Sequence, residues 1–334
     1  MYSFKFYNFA GKYTVLIGKN LTHAAALLNA GEVVAIPTET VYGLAANALN
    51  EAAVVKVFQI KQRPEFDPLI IHVSAVNEIY KYVEEIPELL MRLAEKFMPG
   101  PLTLLLKKKT LIPDLVTSGS ALVAVRVPDH PVTIELLRLL NFPLAAPSAN
   151  PFGYISPTTA HHVQDQLGDK IPYILDGGPC IVGLESTIVG ITDKGLTVFR
   201  KGGLPIDAIK DACGVNPHVI SVSSSNPAAP GMLTAHYAPN ALLKIGSEIV
   251  HDENFNPEKT GALRFRNYLK DVPEEHQVIL SEKGDYAEAA RNLFAGMRRL
   301  DSMHLNLILA ELLPEEDLGI AINDRLRRAA SAGH

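Results

Sequence analysis

The sequence predicts an α/β protein in two parts, a mixed domain with a substantial sheet followed by a smaller domain on parallel strands. Three observations carry this. Short β-branched runs are interspersed with stretches of helical spacing from Thr22 to Arg200, the mark of a mixed α/β domain. Between Val215 and Pro239 the texture changes to Ser, Pro, Ala and Asn, which resist regular structure. From Ala241 strands and helices alternate again. The predicted boundaries are residues 1–215, a linker over 216–240, and 241–334.

The elements follow in order. Thr22 to Ala30 reads as a helix with Thr22 as N-cap and Gly31 as its stop. Val33 to Ile36 is a buried strand that delivers Thr38-Glu39-Thr40 to a loop after Pro37. Glu51 to Lys61 has apolar residues at helical spacing, and Pro64 closes it. Leu69 to Val73 reads as a strand and Pro87 to Phe97 as a helix. Leu102 to Leu106, Leu122 to Val127, Leu144 to Ala146, Tyr173 to Leu175, Ile188 to Ile191 and Leu196 to Arg200 are all strand-like. In the linker, Ser221 to Ser225 and Asn226 to Gly231 suit a spacer, whereas Met232 to Pro239 is too apolar for one. A His and a Tyr beside prolines suit a lid over a site. Beyond it, Leu242 to Ile245, Ala262 to Phe265, Val278 to Leu280 and Leu305 to Leu309 are expected strands. Tyr286 to Leu300 and Asn323 to Ala330 are expected helices, the latter with a basic end.

The chain has 334 residues, 47% hydrophobic and 20% charged, which is globular and leaves disorder to local stretches. Its net charge of −5 argues against a general nucleic-acid coat or a polybasic membrane binder. Most of that negative charge lies beyond Asn240, so the first part is near neutral and a local cationic pocket remains open to it. Two cysteines, Cys180 and Cys213, suit a reducing compartment. Met1 to Lys19 has no sustained apolar core, and no run is long enough to span a membrane, so cytoplasm is the expected location.

No Walker A pattern, GxGxxG, HExxH or GxSxG elbow is present, so any ATP chemistry must use another cradle. Lys61 and Arg63 sit where a helix breaks into Pro64. Arg offers a rigid fork to phosphate oxygens and Lys a point charge, while the plain alternative is a pair of solvated last-turn cations. Asp67 and His72 follow within one loop and strand. Arg126, among strand residues, must find a carboxylate or reach a cavity; there it would suit a carboxylate-bearing substrate such as an amino acid. Arg200, before Lys201-Gly202-Gly203, has the same two readings. Ser148 and Asn150, between Pro147 and Pro151, read by themselves as turn formers, as does Glu185-Ser186-Thr187 as a polar loop. His161-His162 lacks partners at metal-ligand spacing.

Taken in order, these segments resemble the YrdC-like family. Gly31 to Leu44 is similar to its opening motif, and Lys61-x-Arg63-Pro64, Pro68 to His72, Pro99 to Thr103, Arg126-Val127-Pro128, Ala146 to Asn150, Glu185-Ser186-Thr187 and Arg200-Lys201-Gly202 match in turn. The likeness covers residues 15 to 205. Pro230-Gly231-Met232 with His236-Tyr237-Ala238-Pro239 and the α/β segment after it resemble the long, two-domain form. The resemblance implies a central twisted sheet with a cleft, then a Rossmann-like domain. It implies a nucleotidyltransferase that joins L-threonine, bicarbonate and ATP, carrying Mg²⁺, into a threonylcarbamoyl adenylate for tRNA modification, with no tightly bound protein metal. tRNA and the downstream threonylcarbamoyl transferase are the further partners implied, and no membrane. Lys61 and Arg63 would be catalytic. Arg63, Asp67, Leu122, Ser148, Asn150, Ser156, Arg200 and Tyr237 would hold ATP, and Thr40, His72, Arg126, Ala146 and Ser186 the threonine. Two positions depart from the pattern: the family commonly has Asn at Asp67 and often Thr at Leu122. The rival readings are an RNA-binding or ribosome-associated factor without synthase activity, and a carbamoyl-phosphate enzyme. The second would normally bring zinc-finger cysteines that this chain lacks.

Overall fold

The computed structural model describes residues 15–220, 229–230, 236–246 and 255–331. Most of the predicted linker, including Ser221 to Ala228 and Gly231 to Ala235, lies outside the described residues, as does the N-terminus up to Tyr13 and Thr14.

The first part holds strands β1 (Leu16–Gly18), β2 (Val34–Ile36), β3 (Gly43–Asn47), β4 (Ile70–His72), β5 (Leu102–Lys107), β6 (Leu122–Arg126), β7 (Leu144–Ala145), β8 (Tyr173–Leu175), β9 (Thr187–Thr192), β10 (Gly195–Arg200) and β11 (His218–Val219). Its helices are α1 (Leu21–Asn29), α2 (Glu51–Lys61), α3 (Glu88–Phe97), α4 (Asp114–Thr117), α5 (Pro131–Arg138), α6 (Ala160–Leu167) and α7 (Ile206–Cys213). The strands form one 11-stranded mixed sheet in the order β1-β8-β2-β3-β7-β4-β6-β5-β9-β10-β11. β4 pairs parallel to β6 and antiparallel to β7, which sets His72 beside both Arg126 and Leu144. The near-continuous apolar strands are buried on both faces, as a helix-covered sheet requires.

The second part holds β12 (Leu242–Ile245), β13 (Thr260–Arg264), β14 (Gln277–Ile279), α8 (Tyr286–Ser302), β15 (Leu307–Ala310) and α9 (Gly319–Ser331). Its four strands are all parallel, in the order β12-β15-β13-β14, as the strand–helix alternation predicts. The core of this part is continuous with Val41, Ile155 and Leu184 of the first, so the two are packed together through apolar contact. Gly183, at φ +77°, lies where a Cβ would come within 2.5 Å of the backbone of Ala290 and Arg291; only glycine lets α8 approach so closely.

Several details differ from the expectation. α1 is capped by Asn20, whose side chain accepts from the His23 N–H, and not by Thr22, which is exposed inside the first turn. β3 and the helices α5 and α7 arise where no element was expected, and α9 begins at Gly319, earlier than Asn323. Gln62, in the left-handed conformation with φ 54°, ends α2 before Pro64 is reached. Cys180 and Cys213 are free, and burial, followed by the neighbouring Glu39, pushes the Cys180 thiol up to about 12. A thiol so held is inert at neutral pH.

Candidate active site

One cavity gathers most of the expected residues. Thr40, Arg63, His72, Arg126, Ala146, Ser148, Ser186, Arg200 and Tyr237 all line it, from segments spread across the chain. Val41, Pro68 to Ile70, Pro147, Glu185, Pro230 and His236 complete its wall. Lys61, Asp67, Leu122, Asn150 and Ser156 do not line it.

The strand ends explain the convergence. β4 and β6 run side by side and carry His72 and Arg126 to adjacent positions at their C-terminal ends. The Arg126 Nη2 pairs with the Glu39 carboxylate at 2.5 Å and its Nε donates to the Gly100 carbonyl at 3.2 Å, both partners nearly excluded from water. Arg126 thus finds both its carboxylate and the cavity. Burial, then Arg126, lowers the His72 pKa to about 3, so the ring is neutral at any ordinary pH, one nitrogen a donor and the other an acceptor. In the loop after β2, the Thr38 hydroxyl donates to the Val41 carbonyl at 2.6 Å. Its single proton is therefore used, so in the 2.8 Å contact between the two hydroxyls Thr40 is the donor. The Thr40 oxygen then presents lone pairs to the cavity, suited to a substrate N–H or O–H.

On the opposite wall, Arg200 at the end of β10 donates to the Ser186 carbonyl at 3.0 Å, to its hydroxyl at 3.1 Å and to the Pro230 carbonyl at 3.3 Å. Ser186 shares a further hydrogen bond, 2.7 Å, with Thr103. Gly202 lies against this corner: a Cβ there would meet the Glu185 and Ser186 backbone within 2.6 Å. Burial lowers the Arg200 pKa to about 10, which keeps it charged.

The two cations at the end of α2 behave differently. The Arg63 Nη2 pairs with Asp67 at 2.8 Å and also donates to the Pro68 carbonyl at 2.9 Å, with its Nε on the Asp67 carbonyl at 3.0 Å. The negative charge at Asp67 is thereby neutralised inside the protein. Lys61 is 1% exposed and donates to the carbonyls of Ser148, 2.6 Å, and Asn150, 2.5 Å. It staples the end of α2 to the loop after β7 and is no solvated cation. Burial and then Arg63 hold its pKa well below the usual lysine value. Asn150 in turn donates its amide to the carbonyls of Pro151 and Tyr154, which shapes the same loop. Ser156 donates to the Glu185 carboxylate at 2.6 Å, and Leu122 packs with Ile70, Leu105 and Phe199.

Tyr237 closes one side, 1% exposed and at φ 70°, a rare conformation for a bulky residue. Its ring stacks on Phe294 at 5.4 Å and lies near the guanidinium groups of Arg325, 5.3 Å, and Arg328, 5.0 Å. His236 packs edge-on against it and is neutral, its pKa lowered by burial and then by Arg328, Arg63, Lys61 and Arg325. The sequence suggested His236 only as part of a lid. Glu185 and Arg325 were missed as site components, since nothing in a one-dimensional pattern links a polar loop to a helix 140 residues away.

Comparison with known proteins shows the family. A family model described as telomere recombination, of the Sua5, YciO and YrdC proteins, matches residues 26–202. A second, described as the C-terminal domain of threonylcarbamoyl-AMP synthase, matches residues 204–331. The threonylcarbamoyl-AMP synthase of Pyrococcus abyssi is 40% identical over 322 residues, covering 92% of this chain and 93% of that one. That of Bacillus subtilis is 37% identical over 93% of this chain and 92% of its own. The crystal structure of Pyrococcus abyssi Sua5 complexed with L-threonine superposes with a TM-score of 0.86 at 36% identity, covering 96% of this chain and 98% of that one. The chain belongs to the threonylcarbamoyl-AMP synthase family, in the form that carries the additional C-terminal domain.

Proposed function

We propose that the chain is a nucleotidyltransferase that joins L-threonine, bicarbonate and ATP into threonylcarbamoyl-AMP and releases pyrophosphate. The observation that carries the reading is the convergence of Arg63, Arg126 and Arg200 with Thr40, His72 and Ser186 on one cavity. Solution of a relative with L-threonine supports it.

In the reaction, the threonine amine and bicarbonate condense to a carbamate with loss of water. A carbamate oxygen then attacks the α-phosphorus of ATP, a new P–O bond forms, and the bond to pyrophosphate breaks. Two anions approach each other, so fixed positive charge is the main requirement. Arg63 and Arg200 would supply it, their positions fixed by hydrogen bonds that need no rearrangement during the reaction. Arg126, oriented by Glu39, would take the threonine carboxylate, while Thr40, His72 and Ser186 would read its amine and hydroxyl. A site that reads a hydroxyl by hydrogen bonds rejects analogues without one. Ser148 and Ala146 would lie along the substrates. Lys61, Asn150, Asp67 and Ser156 act, in this reading, by holding that wall, and Tyr237 by covering the adenylate. Residues 1–215 would then supply the catalytic domain, 216–240 the cover and 241–334 the domain behind it.

Among the described residues no group of three or more His, Cys, Asp or Glu is placed to hold a metal. The nearby carboxylates Asp67 and Glu185 are engaged by Arg63 and Arg325. Mg²⁺ would enter with ATP as part of the substrate and offset phosphate charge. Among the described residues no helix is long and apolar enough to cross a membrane. We place the protein in the cytoplasm, with the tRNA-modifying transferase as consumer of its product.

Pyrophosphate release measured with threonine, bicarbonate or ATP omitted in turn tests the reading. Dependence on all three is expected; release without threonine, or tRNA binding with no release, would overturn it.

A further inference from the structure

Arg325 is a fully buried arginine, 0% exposed, projecting from α9 of the second part into the first. Its Nε donates to the Glu185 carboxylate at 3.0 Å, while its Nη1 meets Asp324 at 2.8 Å. The other Glu185 oxygen accepts from the Ser156 hydroxyl at 2.6 Å. Glu185 lines the cavity and directly precedes Ser186, whose hydroxyl and carbonyl are held by Arg200. The Ser156 carbonyl is held in turn by the Arg298 Nε of α8 at 3.2 Å. The same Arg325 guanidinium lies 5.3 Å from the centre of the Tyr237 ring, another wall of the cavity. Two walls therefore depend on one side chain of the second part.

We propose that Arg325 is a positioning residue of the reaction centre, reaching from α9 to fix Glu185 and Tyr237 and, through Glu185, the Ser156 and Ser186 corner. The proposal rests on the synthase reading above. It makes the second part a support of the cavity wall, acting from behind residues that line it.

An arginine that only filled space would leave the substrate geometry alone when replaced, once stability was restored. A positioning arginine leaves a different trace. The groups facing Glu185 are Arg325 from α9, Arg200 from β10, Tyr237, and the Ser156 hydroxyl. Burial alone would raise the carboxyl pKa; Arg325, Arg200 and Ser156 outweigh it and hold it below the usual value. Without Arg325 the carboxyl moves upward and takes a proton at a higher pH, which removes the charge that Arg200 and the Ser156 hydroxyl face.

The test uses the full chain with Arg325→Met, Arg325→Lys and the double variant Arg325→Met/Glu185→Gln, and Arg327→Ala as a control on an exposed ion pair. Steady-state pyrophosphate release and thermal unfolding are read for each. Arg325→Met should lower kcat/KM for ATP at least about tenfold, with a smaller effect on the KM for threonine, since misplacement rather than lost contact is the cause. Its acid limb should shift to higher pH, and Arg325→Lys should recover part of both. The double variant removes the isolated buried carboxylate, so its Tm should recover while its kcat/KM does not. Arg327→Ala should match the wild type. Lowered Tm with wild-type kcat/KM and pH profile, or recovery of kcat/KM in the double variant, would overturn the proposal. Should the wild type itself release no pyrophosphate, the synthase reading falls. ATP binding by calorimetry then decides the positioning role: weaker binding in Arg325→Met supports it, and unchanged binding overturns it.

Discussion

Lys61 and Arg63 stand two residues apart on the same helix end and have different tasks. Arg63 faces the cavity, and Arg63→Ala should cut pyrophosphate release about a hundredfold or more, the scale of losing a preorganised electrostatic group. Near-normal turnover would remove it from the phosphate site. Arg126→Ala should weaken threonine binding more than ATP binding in calorimetry, and the reverse order would reassign it. That variant also strands the Glu39 carboxylate, 2% exposed, which costs about 3–5 kcal/mol for a broken buried pair. Arg126→Ala/Glu39→Gln should recover most of that stability without recovering threonine affinity. The sequence singled out candidate residues but not which of them face the cavity. Lys61, Ser148 and Asn150 form one staple, and the carbonyls that Lys61 binds have no side-chain signature to betray them.

At the scale of elements, strands rich in Val, Ile and Leu were legible because period and composition agree. β3, Gly-Leu-Ala-Ala-Asn, was not, since glycine and alanine have low strand preference and only pairing with β2 and β7 makes it a strand. α9 begins at a glycine, which reads locally as a stop. Asn20 and Thr22 are equally good cap residues on paper; the His23 N–H decides between them. Asn20→Ala should therefore cost about 1 kcal/mol in chemical denaturation, while exposed Thr22→Ala should stay within about 0.5 kcal/mol. The cleft corner gives a sharper case. Gly202→Ala pushes a methyl into the Glu185 and Ser186 backbone, so pyrophosphate release should fall even where the protein remains folded by circular dichroism.

For the whole molecule, truncation after Gly214 bares Val41, Ile155 and Leu184 and removes Arg298 and Arg325. The remaining sheet should fold with a lowered thermal midpoint and release little pyrophosphate; full activity would detach the second part from the mechanism. Acid should destabilise the intact chain through its neutral histidines, His72 buried and His162 half-buried. His72 and His162 are depressed, to about 3 and about 4, by burial and then by Arg126 and Arg298 respectively. Their unfolded forms take protons near pH 6.5 while the folded ones do not. Stability present above pH 6.5 is thus lost as pH falls toward 4, by about 1.4 kcal/mol per unit for buried His72 and by less for His162, which solvent partly screens. Urea melts across that range should show it, and a flat profile would contradict the burial of the His72 ring. The order of the 11-stranded sheet has a consequence for biogenesis. β1 lies beside β8, and the Asn20 N–H that follows β1 is closed by the hydroxyl of Tyr173, 153 residues later. On a ribosome the first strand must wait as an unpaired edge until most of the catalytic part has emerged. Such distant closure slows folding. Threonine affinity should therefore arise late during refolding, after most of the secondary structure, and the nascent chain is most exposed to self-association before β8 arrives.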